Sequence, residues 1–246
     1  MKDIQFHPGM PGTTKQIGPW NGIVLHWSGG ERPHEDLCQN LKTEGLSIHF
    51  VIDPDGTLVQ TAELDTRTSH CGVGNSYFLG VEIVCRGYAN KADLAAALLK
   101  NPDLRQRDKL DWDVSRDVYT DKIAGEKVTM TAFNPPQIIA AVALCEALSR
   151  QFGFPRRIPA ARCLDVSPAA LAALPLMNPQ AFVVKHEGID WMPSFDRDLI
   201  WRPKNFKGAL PHSAIHQTKH CGGTQLAYKL WALGWNPSDQ LLIDAK

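Results

Sequence analysis

Short apolar runs bounded by turn-forming residues occupy the first third of the chain. Residues 22–27 are apolar except for His26, and the Asn-Gly and Ser-Gly-Gly around them mark a buried strand. Residues 79–85 form a second apolar run that contains a single carboxylate, Glu82. Between these runs, residues 47–60 place a Pro-Asp-Gly turn between two β-prone arms, which predicts a β-hairpin.

Helical periodicity appears in three segments. Residues 33–42 have apolar positions on one side and stop at Gly45, and residues 224–233 repeat leucines at helical spacing. The longest segment begins with two prolines after Asn134, a favourable first helical turn, and stops at Gly153. Its predicted apolar face consists of Ile138, Val142, Cys145, Leu148 and Phe152.

The mixed order of strands and helices predicts an α/β fold. A single domain over residues 1–246, with a central mixed β-sheet flanked by helices, gives these elements one core. Residues 86–132 are charged and lack a clear period apart from a short helix at 91–100, and residues 155–207 are rich in proline. We therefore expect two insertions, at about residues 86–132 and 155–207.

Composition and charge exclude several classes of partner. The 246 residues are 43% hydrophobic and 21% charged, with a formal net charge of zero. This balance gives no electrostatic reason to expect nucleic acid or an anionic membrane as the main partner. No apolar run approaches the roughly 18 residues of a membrane span, and the first residues lack the apolar core of a signal peptide. We expect synthesis and folding in the cytoplasm.

The six cysteines are widely scattered, which favours reduced thiols over disulfides. Cys85 ends an apolar run and Cys145 lies on a helical apolar face, so both are expected to be buried structural thiols. Cys221 differs because polar residues and Gly-Gly flank it.

Residues 211–223 hold three histidines, a lysine and a cysteine. A loop here would let His212 and Cys221 converge on one cation, and zinc suits imidazole with thiolate. A catalytic zinc needs a third protein ligand, which must come from elsewhere in the chain. The alternative is a surface turn with solvated histidines.

Two buried-strand residues are further candidates. His26 leaves the end of a strand, where it could be a ligand or a satisfied core histidine. Glu82 is a functional candidate because a buried carboxylate is unfavourable unless paired or wet, although an edge-strand glutamate facing solvent is the alternative.

Together and in order, these segments resemble the zinc-dependent N-acetylmuramoyl-L-alanine amidases, the type that includes phage lysozyme-like amidases, cell-wall recycling amidases and peptidoglycan recognition proteins. The matching positions are residues 23–26, 47–57, 69–72, 75–76 and 79–83, with His212 and residues 219–221.

The resemblance implies a role for each matching residue. His26, His212 and Cys221 would be the zinc ligands, Glu82 the general base, and Lys219 the group that stabilises the oxyanion. Positions that line the family's substrate groove match His70, Asn75 and His49, and for His49 a structural role is equally open.

Two positions depart from the family's pattern. Ile48 stands where phage members often have a catalytic tyrosine, so more of the catalysis would fall on Glu82. Ser69 replaces a tryptophan, which puts the detailed substrate contacts in doubt.

The implied activity is zinc-dependent hydrolysis of the amide between N-acetylmuramic acid and L-alanine in peptidoglycan or soluble muropeptides. The alternatives are a peptidoglycan-binding module without catalysis and a thiol peptidase that uses Cys221 with His212 or His216. A phage endolysin, a cytoplasmic recycling enzyme and a toxin delivered by a secretion machine all agree with the sequence.

Overall fold

The computed structural model describes most of the first 85 residues and shorter parts of the remainder. These are residues 4–7, 10, 14–16, 18–30, 32–85, 118–123, 126–131, 133–162, 184–187, 189–193, 205–212, 215, 226, 230 and 233–238.

Six strands, numbered in chain order, form the central sheet. In spatial order they are Gln5–Phe6 (β1), Leu58–Gln60 (β5), Phe50–Ile52 (β4), Phe78–Ile83 (β7), Gly22–Trp27 (β3) and Gly208–Pro211 (β13). Strands β4, β7, β3 and β13 are parallel, whereas β5 is antiparallel to β4. The predicted mixed sheet is therefore confirmed.

The other described strands lie outside this sheet. Thr14–Lys15 (β2) pairs with Thr66–Arg67 (β6), and Val118–Ile123 (β8) pairs with Glu126–Thr131 (β9). A separate four-stranded sheet has the order Val184–His186 (β11), Ile189–Pro193 (β12), Arg157–Arg162 (β10) and Asn236–Ser238 (β14).

Both predicted insertions thus contain β-strands that the hydrophobic pattern did not indicate. Charged residues in the first insertion and prolines in the second obscure the alternation by which a strand is recognised. The short helix expected at residues 91–100 lies outside the described residues.

A long helix covers one face of the central sheet. Helix Pro135–Phe152 (α2) begins with a capping box, in which the side chains of Asn134 and Gln137 each accept the other's backbone N–H. It ends at Gly153, which adopts the left-handed conformation with φ of 70°. Within the described part of the chain, no helix is both long and apolar enough to cross a bilayer.

The buried face of α2 differs from the predicted one. Ile138, Val142 and Phe152 are only partly buried, and the buried apolar side chains of the helix are Ala141, Leu144, Cys145 and Leu148. The expectation that Cys145 and Cys85 are buried structural thiols is confirmed, since both are buried and neither forms a disulfide.

The predicted hairpin connects β4 and β5. Gly56 has a φ of 81° in its turn, and the backbone N–H of Asp53 donates to the Thr57 carbonyl at 2.9 Å. Asp53 also reaches helix His34–Thr43 (α1), where its carboxylate accepts the backbone N–H of His34 at 3.0 Å and contacts the His34 ring Nδ1 at 2.5 Å. The hairpin therefore caps the helix whose own preceding residue, Pro33, offers no side-chain cap.

Strands β3 and β13 approach each other most closely at Gly22. A Cβ added to Gly22 would lie 1.8 Å from the backbone carbonyl oxygen of Gly208, so the two backbones meet where side chains have no room. This contact brings β13 against β3 and thereby positions the residue that follows β13.

We predict that Gly22→Ala lowers the free energy of unfolding by roughly 3 kcal/mol, because the backbone that its Cβ meets cannot move aside without breaking strand pairing. Urea denaturation measures this change. Gly30→Ala is the matched control, since an added Cβ there meets nothing within 4 Å. Equal midpoints for the two variants would contradict the tight β3–β13 contact.

Candidate active site

Three neighbouring parallel strands bring together three of the predicted site residues. Glu82 of β7 is the register partner of His26 on β3. Pro211, the last residue of β13, pairs with Leu25, so His212 follows at the level of His26. A row of His212, His26 and Glu82 thus crosses the carboxyl ends of these strands.

This row lies on the sheet face opposite α2. Side chains alternate between faces along a strand, and Leu25 and Val81, the immediate neighbours of His26 and Glu82, belong to the core cluster that includes the α2 side chains. Strand β7, which carries Glu82, lies in the interior of the sheet between β4 and β3, and Glu82 is only 8% exposed. The alternative of a solvent-facing glutamate on an edge strand is therefore wrong.

The two histidines of the row face each other closely. The ring centroids of His26 and His212 are 4.4 Å apart at an interplanar angle of 63°, and each residue is 5% exposed. Two imidazoles that converge in a buried position suit a shared cation such as zinc.

His70 lies behind His26 and contacts it directly. Nδ1 of His70 is 2.9 Å from Nε2 of His26, and Nε2 of His70 donates to the Phe78 carbonyl at 3.1 Å. The ring packs on Gly80, where an added Cβ would lie 2.7 Å from the His70 Nδ1. Asn75 fixes the loop, because its Oδ1 accepts the backbone N–H groups of His70 and Cys71 at 3.0 and 2.7 Å.

His49 is fully buried, and its ring lies next to that of His70. Its Nε2–H donates to the Thr66 carbonyl at 2.9 Å, and its Nδ1 accepts from the Gly80 backbone N–H at 3.0 Å and from the Thr68 hydroxyl at 2.9 Å. Both ring nitrogens are satisfied inside the protein and the residue is 0% exposed, which favours the structural role over contact with substrate.

Burial keeps these supporting imidazoles neutral. Desolvation lowers the pKa of His49 to about 4, against which the hydrogen bond to the Thr66 carbonyl acts weakly. Desolvation likewise lowers the pKa of His70 well below the ordinary histidine value, and the nearby His49 lowers it further. His49 and His70 are therefore uncharged at neutral pH.

The third predicted ligand, Cys221, and Lys219 lie outside the described residues. Among the residues that the structure does describe, no group of three His, Cys, Asp or Glu side chains is placed to hold a metal ion. Of the three predicted ligands, the structure describes His26 and His212, and the ligand role of all three stays a prediction.

The supporting roles of Gly80 and Phe78 were not predicted from the sequence. Gly80 leaves room for the His70 ring, and the Phe78 carbonyl accepts from it. A glycine inside an otherwise apolar strand was the available signal, because such a residue often marks a close approach of another group.

Fold and site define an α/β protein with a buried histidine and carboxylate cluster at the carboxyl ends of parallel strands. The family model described as N-acetylmuramoyl-L-alanine amidase matches residues 16–190, which include His26, His70 and Glu82 but not His212. The chain belongs to the N-acetylmuramoyl-L-alanine amidase family and to that class of enzyme.

Solved structures and curated proteins add little to this assignment. The hydrolase AmiA of Staphylococcus aureus, in complex with its ligand, is 14% identical, with 98% of this chain and 84% of that chain covered and a TM-score of 0.49. The N-acetylmuramoyl-L-alanine amidase LysC of Clostridium intestinale is 12% identical, with 93% and 98% covered and a TM-score of 0.42. No curated protein matches the chain. At these identities and TM-scores, the family assignment depends on the sequence match.

We predict that burial of His49 makes the protein sensitive to acid. Between the ordinary histidine pKa of 6.5 and about 4, the unfolded chain binds a proton that folded His49 does not. The contribution of His49 to the free energy of unfolding is therefore fully present above pH 6.5 and is lost as the pH falls. At pH 4 the free energy of unfolding is lower by about 3 kcal/mol. Urea denaturation between pH 4 and pH 8 measures the loss.

The variant His49→Asn isolates the contribution of His49 to this loss of stability, because asparagine does not titrate. That variant should be less stable at pH 7 and should lose less stability on acidification than the wild type. Parallel pH profiles for the two proteins would contradict the assignment to His49.

Proposed function

We propose that this protein is a zinc-dependent N-acetylmuramoyl-L-alanine amidase that hydrolyses the amide between N-acetylmuramic acid and L-alanine in peptidoglycan or muropeptides. The observation that carries the proposal is the row of His212, His26 and Glu82 at the ends of three adjacent parallel strands. Family membership gives the bond that is cut, and the row supplies residues whose chemistry suits its hydrolysis.

His26 and His212 would hold the zinc, with Cys221 as the third ligand. The donor set fits the ion, because neutral imidazole and thiolate are usual zinc ligands and three protein ligands leave a position open. When bound, zinc supplies Lewis-acid activation of a water molecule and of the amide carbonyl.

Glu82 would act as general base and then as general acid. Its strand neighbour in register is His26, and adjacent strands lie only about 4.8 Å apart, so the carboxylate is close to the proposed ligand. The carboxylate takes a proton from the attacking water and returns it to the departing amine of L-alanine. Because Glu82 is almost fully buried, few water molecules compete for its proton.

Lys219 would stabilise the negative charge that develops on the carbonyl oxygen. It lies two residues before Cys221, so a ligand role for Cys221 keeps the lysine near the reacting carbonyl. A positioned cation of this kind typically lowers the barrier by about 3 kcal/mol.

We predict that Glu82→Gln lowers the turnover of purified peptidoglycan by about 10²- to 10⁴-fold, because the amide cannot accept the water's proton. Mass spectrometry should identify stem peptides that begin with L-alanine as the wild-type product. The exposed Glu63 provides the matched control, and Glu63→Gln should retain wild-type turnover. Full activity of Glu82→Gln would remove Glu82 from the mechanism.

We also predict that a zinc chelator abolishes release of these peptides and that added zinc restores it. Fragments cut within the stem peptide, unaffected by chelation but lost on thiol alkylation, would instead establish the peptidase that uses Cys221. Binding of peptidoglycan with no released fragment would establish a recognition module.

A further inference from the structure

A chain of hydrogen bonds runs from the backbone of β7 to the proposed ligand His26. The Phe78 carbonyl lies 3.1 Å from the His70 Nε2, and the His70 Nδ1 lies 2.9 Å from the His26 Nε2. Each link joins groups that are held by the central sheet or by the loop packed on it.

The hydrogen bond to the Phe78 carbonyl determines which atoms donate and which accept in both hydrogen bonds. A carbonyl oxygen can only accept, so the proton of His70 must be on Nε2, and Nδ1 of a neutral His70 is then the acceptor. The short contact with His26 therefore requires His26 to donate from Nε2. In a neutral imidazole that donates from Nε2, the nitrogen that carries the lone pair is Nδ1.

A flipped His70 ring does not reproduce this arrangement. Rotation by 180° would replace Nδ1 and Nε2 by ring carbons, and the contacts with His26 and the Phe78 carbonyl would both be lost. The orientation with both nitrogens engaged is the one that satisfies the buried polar groups.

We propose that His70 is a positioning residue that fixes the tautomer of His26, so that His26 presents Nδ1 to the metal. The inference rests on the proposed function, in which His26 is a zinc ligand. Such outer hydrogen bonds orient ligand histidines and usually have a carboxylate or carbonyl as the acceptor, whereas here a second imidazole fills that role.

The surroundings of His70 suit positioning better than contact with substrate. Both ring nitrogens are used inside the protein, and the ring packs directly on Gly80, where an added Cβ would lie 2.7 Å from Nδ1. Asn75, which also matches a position in the family's substrate groove, uses its Oδ1 to accept the backbone N–H groups of His70 and Cys71. The loop and the ring thus form a support for His26.

The tautomer can be measured in the wild-type protein without any metal. In a two-bond ¹H–¹⁵N correlation spectrum of metal-free protein at pH 7.5, both His26 and His70 should show the Nε2–H pattern. A pattern of Nδ1–H for His26 would overturn the inference, whether or not the protein binds zinc.

Variants of His70 should change zinc affinity, measured by competition with a chromophoric chelator. His70→Phe keeps the ring but removes the acceptor, and we expect it to weaken zinc binding roughly 10- to 100-fold. His70→Asn places Oδ1 where Nδ1 was and should bind zinc within a few-fold of the wild type. Equal affinities for His70→Phe and the wild type would overturn the inference.

Thr68→Val controls for a loss of stability alone. It removes the hydroxyl that donates to His49 at 2.9 Å but does not touch the bond between His70 and His26. Thr68→Val should therefore unfold at lower urea concentration and bind zinc with wild-type affinity. If the wild type itself bound no zinc, the proposed function would fail, and the spectrum would still decide the tautomer. The spectrum also decides it if His70→Phe does not fold.

Discussion

The register between β13, β3 and β7 is the constraint on which the candidate site depends. Parallel pairing aligns Glu82 with His26 and brings His212 to the same level. A slip of one residue would turn His26 into the core beneath α2, because successive side chains point to opposite faces. The apolar residues of the α2 face and the close backbone contact at Gly22 hold this register from two directions.

A second constraint is that polar groups this deeply buried must find partners within the protein. His49 satisfies both its ring nitrogens behind the site, and His70 links the β7 backbone to His26. Burial keeps the pKa of His49 and of His70 low, so the support remains uncharged at neutral pH. The support therefore places no positive charge next to His26, the proposed metal ligand.

Features set within a short window of sequence were predicted well. The strand that contains His26, the hairpin around Gly56 and the helix between Asn134 and Gly153 all depend on local turn and capping chemistry. The buried face of α2 was predicted less well because apolar residues surround the helix over much of its length, and contact with the sheet selects Ala141 and Leu144. Strands in the two insertions gave no local signal strong enough to be recognised.

The sequence by itself identified side chains with the chemistry of an amidase site, and it predicted the strands that carry His26 and Glu82 but not β13, the strand that precedes His212. It did not determine how His26, Glu82 and His212 meet, because they are separated by up to 186 positions in the chain. That meeting is decided by the strand order, in which β7, β3 and β13 are neighbours. The tertiary structure also decided that His70 contacts His26, because this bond depends on a loop packed against Gly80. Contacts of this kind have no local pattern, since they exist only after distant strands have paired.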